Sequence, residues 1–315
     1  MSDGMNLGQE ITVRAPAKVN LCIRILDRLP NGYHELWSLM HSVDVFDHLN
    51  IRLNPDHDRI HIRCDNHGLP VDQRNLVYRA TEAVLRRAEQ SIGVDIVLQK
   101  AIPLAAGLGG GSSDAAAMIY GLNHLLKLEW ELPYMSEVGA ELGSDIPFFF
   151  HAPCAVVRGW GQEVIPCVLP GQRWVVLVNP GFPIETKWAY EQLASCRSHV
   201  QPLSPWTASV EEGLSISWAE AIEAMENDFE PSLFPVYPIL EFIKEKLRAL
   251  GAGAALLSGS GATVFGVFDD PERAHAAAKQ LRDDTQWLVF DAPMGSAGLS
   301  HTPALYEATP EGLPV

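Results

Sequence analysis

Residues 103–116 read Pro-Leu-Ala-Ala-Gly-Leu-Gly-Gly-Gly-Ser-Ser-Asp-Ala-Ala. Just before this stretch, Val94, Ile96 and Leu98 repeat at period two, as in a half-buried strand. Just after it, Ala115, Ala116 and Ala117 begin an alanine-dense helix over about residues 112–128, able to pack closely. Gly107, Gly109, Gly110 and Gly111 therefore lie between a strand and a helix. Glycine lets the backbone curl and come close to a ligand with its N–H groups turned inward. A helix start adds unpaired N–H groups and a positive dipole end. The combination suits the phosphates of a nucleotide. No lysine follows the last glycine, so this is not a Walker A loop, and no literal G-x-G-x-x-G is present. A plain strand-to-helix turn does not call for four glycines and paired serines.

Three other segments stand out. In residues 15–21, Ala-Pro-Ala-Lys-Val-Asn-Leu, an extended chain puts Lys18 and Asn20 on one side. A lysine in so apolar a strand is costly unless it meets an anion; the alternative is an edge-strand lysine in solvent. In residues 142–150, Leu-Gly-Ser-Asp-Ile-Pro-Phe-Phe-Phe, apolar neighbours surround Asp145. That suits a general base for a substrate hydroxyl, and a cap or turn aspartate is the alternative. Residues 257–265, Leu-Ser-Gly-Ser-Gly-Ala-Thr-Val-Phe, form a second glycine-rich turn, or simply a hairpin.

The 315 residues, 47% hydrophobic and 20% charged, are enough for two globular domains. A net charge of −16 argues against a nucleic-acid partner, because phosphates would be repelled. No apolar run reaches the roughly eighteen residues of a membrane span, and the polar N-terminus lacks a secretory layout, so a cytoplasmic protein is expected. Five scattered cysteines suggest neither a disulfide framework nor a zinc site.

The period-two run Ile60, Ile62, Cys64 reads as a strand, and Leu76, Ala80, Val84 and Ala88 mark one helix face. Strands are expected over residues 11–15 and 19–26, interrupted at Pro16, and over 174–178, 254–257, 263–268 and 287–290. Helices are expected after Pro133 and over residues 218–225, 239–250 and 272–281. This is an α+β chain with mixed sheets. Its domains are expected at 1–170 and 171–292, the boundary falling at the Pro170-Gly171 turn signal. Residues 293–315, aperiodic and rich in Pro, Gly, Ser and Thr, are expected to be a disordered tail.

In this order the four segments resemble the GHMP kinase superfamily. Asn31-Gly-Tyr-His-Glu-Leu at residues 31–36 makes them similar to the branch acting on a cytidine-diphosphate-linked methylerythritol in the non-mevalonate isoprenoid pathway. The likeness runs over about residues 11–290. It implies an N-terminal mixed α/β domain, a ferredoxin-like C-terminal domain and an active site between them. It implies phosphorylation of the C2 hydroxyl by ATP with Mg²⁺, with small-molecule partners, no membrane, and a homodimer as an open option. By the same resemblance, Asp145 is the catalytic base, paired with Lys18. Asn20, Tyr33, His34 and Tyr190 bind the acceptor, the aromatic residues holding its cytosine. ATP falls to Asn75, Lys100, Pro103, Leu104, Ala105, Ala106, Gly107, Leu108, Gly109, Gly110, Gly111, Ser112 and Ser113, with Ser113 also reaching the metal. Ser144 and Trp160 depart from the family pattern, and residues 195–217 match nothing in it. A homoserine- or mevalonate-type kinase, or a non-catalytic nucleotide binder, is the alternative.

Overall fold

The computed structural model describes residues 9–28, 34–197, 199–200, 202–213, 215–295 and 298–303. Its first half is built on two long paired strands, β1 (Glu10–Arg28) and β2 (His34–Asn54). Beside β2 lie β4 (Gly93–Gln99) and then β3 (Ile60–Cys64), β3 running parallel to β4. The far end of β2 instead pairs with β5 (Cys154–Gly159), which is followed by β6 (Glu163–Pro166). Helices α1 (Leu76–Arg87), α2 (Gly110–Leu125), α3 (Leu132–Ala140) and α4 (Ile146–His151) cover this sheet. Ala115, Ala116 and Ala117 are wholly buried in α2. Gly121 brings the helix so close that a Cβ there would lie 2.5 Å from Ile51 Cδ1.

The second half holds β7 (Trp174–Asn179), β8 (Ala254–Leu257), β9 (Val264–Phe268) and β10 (Leu288–Pro293) in the antiparallel order β10-β7-β9-β8. That strand order is ferredoxin-like. Helices α5 (Thr186–Cys196), α6 (Pro205–Gly213), α7 (Trp218–Glu223), α8 (Glu230–Leu233), α9 (Pro238–Ala249) and α10 (Pro271–Asp284) complete it. The amphipathic α9 buries Leu240, Ile243 and Leu247, at three- and four-residue spacing, against the sheet. Among the described residues, no helix is long and apolar enough to cross a membrane.

Three expectations change. Pro16 does not break the first strand, because the register shifts between Pro16 and Ala17. A proline can occupy a bulge, where its missing N–H leaves no ladder bond unmade. Residues 195–217, which match nothing in the family pattern, contain α6, which straps the two halves together. Glu211 accepts from Trp37 Nε1 at 2.8 Å and from Arg158 at 2.7 Å. The third change concerns the tail. β10 extends through Pro293, and β11 (Ser300–Pro303) pairs antiparallel with β1, Ile11 opposite Pro303. The open edge of β1 gives this aperiodic segment backbone partners that its composition does not announce; residues 304–315 lie outside the described residues.

Ending the chain after Gly295 should therefore destabilise the fold. Removing a four-residue edge strand is expected to cost about 1–2 kcal/mol, taking ladder bonds at their modest net value. Melting should fall by roughly 2–5 °C. An unchanged melting temperature would show that β11 contributes nothing.

Candidate active site

Register shifts at Pro16/Ala17 and Asn20/Cys22 bracket a short piece of β1. Val13, Ala15, Ile23 and Ile25 on its flanks belong to one core cluster, whereas Ala17, Val19 and Leu21 belong to another. The intervening Lys18 and Asn20 come to line a cleft of about 560 Å³ between the two halves. Bulges commonly re-aim side chains in this way next to active sites. Lys18 is buried, so it is not an edge-strand lysine in solvent. Its Nζ donates to Asn20 Oδ1 at 2.7 Å, Asn20 Nδ2 donates to Ser38 Oγ at 2.9 Å, and Ser38 donates to the Cys22 carbonyl at 2.7 Å.

Asp145 Oδ2 stands 3.5 Å from Lys18 Nζ, with its side chain 33% exposed against 4% for the lysine. Asp145 precedes α4 but makes no side-chain capping bond, which removes the helix-cap alternative. The carboxylate opens to the cleft while its partner is held from behind.

Residues 103–112 line the same cleft without a gap. Gly109 takes φ +69° as the N-cap of α2, and a Cβ there would meet Lys18 Cγ at 2.9 Å. Gly107 is pressed against the second glycine-rich turn: Ser258 Oγ donates to its carbonyl at 2.9 Å, and Thr263 N donates to the Ala106 carbonyl at 3.2 Å. Residues 257–265 are therefore more than a hairpin, because they support the loop from the other half. Gly111 is different. Its nearest obstacle would be Leu76 Cδ1, at 3.7 Å, so protein packing does not demand a glycine there. Ala105, a non-glycine residue at φ +50°, marks local strain of the kind found at binding loops.

Several predicted residues sit elsewhere or are engaged. Ser112 lines the cleft, but Ser113 is wholly buried behind it, its hydroxyl without a hydrogen-bond partner. Among the described residues no group of three or more His, Cys, Asp or Glu could hold a metal ion. These residues do not fit a resident Mg²⁺ site. Asn75 caps α1, accepting from Val77 N at 2.8 Å and donating to the Pro70 carbonyl at 2.7 Å, so both ends of its amide are used within the protein. Lys100 borders the cleft, yet its ammonium is held by two buried carboxylates, Asp47 and, at 2.6 Å, Asp114. Burial alone would lower the Lys100 pKa, but Asp114 and Asp47 outweigh it and raise it. Burial pushes the Asp114 carboxyl up to about 8 against the pull of Lys100.

On the acceptor side, Tyr33 lies outside the described residues. His34 and Tyr190 stack with ring centroids 4.5 Å apart, 15° from parallel, and Tyr190 meets Phe229 edge-on at 5.0 Å. These two rings leave no room between them for a base. A base between two rings needs them roughly 7 Å apart, two van der Waals separations, whereas these apolar faces close on each other. Burial, with the Asp145 charge nearby, raises the Tyr190 phenol well above its usual range. Sequence reasoning missed Thr186 and Ser260, whose hydroxyls lie 3.2 Å apart on the cleft wall. It also missed Asn227, which donates to the Leu257 and Gly259 carbonyls, both at 2.8 Å, and so holds the second turn. The hydroxyls within Ser258-Gly-Ser260 were the available signal for that turn.

Residues 75–152 match the family described as GHMP kinases N terminal domain, and residues 210–284 match GHMP kinases C terminal. A relative from Syntrophotalea carbinolica, named 4-diphosphocytidyl-2-C-methyl-D-erythritol kinase, is 40% identical over 278 residues, covering 88% of this chain and 96% of that protein. The chain belongs to the 4-diphosphocytidyl-2-C-methyl-D-erythritol kinase family of GHMP kinases. A member of this family from Geobacter metallireducens is 37% identical over 281 residues, covering 89% of this chain and 97% of the relative. A crystal structure described as 4-(cytidine 5'-diphospho)-2C-methyl-D-erythritol kinase superposes with a TM-score of 0.74 at 34% identity, over 90% of this chain and 100% of the other. A mevalonate kinase from L. major, 14% identical with a TM-score of 0.68 over 89% of this chain and 94% of its own, shares the fold alone.

Proposed function

We propose that this chain transfers the γ-phosphoryl group of ATP to the C2 hydroxyl of 4-diphosphocytidyl-2-C-methyl-D-erythritol, giving the 2-phosphate and ADP. The observation that carries this is the Lys18–Asp145 contact of 3.5 Å in the cleft lined by the glycine loop. Phosphoryl transfer asks a protein mainly for alignment and charge stabilisation. The loop N–H groups and the start of α2 face the β- and γ-phosphates of the nucleotide, which arrives with its Mg²⁺. Asp145 accepts the hydroxyl proton as the new O–P bond forms and the bond to the β-phosphate bridging oxygen breaks. Lys18 holds Asp145 in place and lies close enough to share the charge on the transferred group. A pure nucleotide binder needs the loop but not this pair.

The stacked His34 and Tyr190 rings form one aromatic surface beside the base, and we assign the cytosine to it. Purified protein should phosphorylate the cytidylyl acceptor and leave homoserine and mevalonate untouched. Tyr190→Ala should raise KM for the cytidylyl acceptor about tenfold, within the roughly 1–3 kcal/mol that base stacking supplies. KM for ATP should hardly move. Because Tyr190 also packs on Phe229, melting is measured alongside. Equal damage to both KM values, or turnover of the other acceptors instead, would refute the assignment.

A further inference from the structure

We propose that Asp47, Lys100 and Asp114 form a positioning staple that holds the two ends of the glycine loop in nucleotide-binding geometry. The inference rests on the nucleotide-binding part of the function above. Asp47, on β2, is completely buried. Its Oδ1 accepts the backbone N–H of Ala101 at 2.7 Å and of Ile102 at 2.9 Å, the two residues that lead into Pro103. Its Oδ2 takes the Lys100 ammonium, which also binds Asp114 Oδ2 at 2.6 Å in the first turns of α2, where the loop ends. Loop entry and loop exit are thus tied through one ammonium to one position of the sheet. A Cβ on Gly110 would meet Ile102 Cγ2 at 3.0 Å and Asp47 Oδ2 at 3.4 Å, so the start of α2 passes close to both ends of this tie.

Stability alone is weak ground for keeping such a cluster. Buried ion pairs are commonly matched by apolar residues of similar volume, so their retention calls for another role. Here that role is geometric. The amides of Ala101 and Ile102 lie beyond the end of β4, and one carboxylate oxygen receives both. The charge balance also suits the place. Two ionised carboxylates against one ammonium would leave a negative charge behind an anion-binding loop. Burial raises the Asp114 carboxyl, which lessens the negative charge set against the Lys100 ammonium behind the loop. Through its ammonium, Lys100 acts on the loop.

Asp47→Ala and Asp114→Ala test this, since each leaves Lys100 one carboxylate and so no unpaired buried charge. The affinity for an unreactive ATP analogue is measured by calorimetric titration, beside acceptor KM, melting and amide hydrogen exchange. Both variants should weaken analogue binding about tenfold or more, with acceptor KM unchanged. Asp47→Ala should also speed exchange at the amides of Ala101 and Ile102. Asp47→Asn, which keeps an acceptor for those amides, should restore their slow exchange, and it replaces Asp47→Ala should that variant not fold. Folded variants that bind the analogue as wild type does, with only melting lowered, overturn the staple alone. A wild-type protein that does not bind the analogue overturns the nucleotide reading beneath it as well.

Discussion

Asp145→Asn is expected to lower kcat by roughly a hundredfold or more, the usual scale for losing a general base. The amide is isosteric, and the Asp145 side chain makes no capping bond that the fold depends on. What it loses is the capacity to take a proton from the attacking hydroxyl. Lys18 keeps its 2.7 Å bond to Asn20 in the variant, so the cleft floor stays in place. The deficit falls in the transition state, and KM for both substrates should change little. Steady-state kinetics on a variant with wild-type melting provides the check. A kcat within a few-fold of wild type would remove Asp145 from the chemistry.

Gly109→Val is expected to weaken nucleotide binding by about thirtyfold or more, equivalent to about 2 kcal/mol. Two effects combine. At φ +69° a β-branched residue is strained where glycine is not. The added carbons also run into Lys18 Cγ and Phe149 Cζ, 2.9 and 3.0 Å from the Cβ position, and displacing the lysine should lower kcat as well. A milder substitution separates ligand from packing. Gly111→Ala meets no protein atom nearer than Leu76 Cδ1, so melting should hold while nucleotide affinity falls. Titration with an unreactive ATP analogue reads both variants. If Gly111→Ala binds as tightly as wild type, phosphates do not approach the backbone at that position.

The features legible in the chain are those that short-range physics dictates. Period-two and helical spacing located β3, β4 and α1, because alternation and the 3.6-residue turn are local properties, and the continuous apolar run at residues 174–178 located β7. The four glycines before Ser112 announced a cradle because glycine is needed where the backbone turns sharply or meets a ligand closely. An isolated lysine among apolar strand residues announced an anionic partner, but not which one. Tertiary structure selected Asp145 for Lys18 by bringing the residue before α4 to within 3.5 Å of the lysine on the bulged piece of β1. It gave Lys100 to Asp47 and Asp114, because a buried ammonium must be satisfied by whichever carboxylates folding brings to it. It also closed His34 on Tyr190 and turned residues 300–303 into a strand. Neither is written in local spacing, since a ring face or a strand edge finds its partner only after distant segments have met.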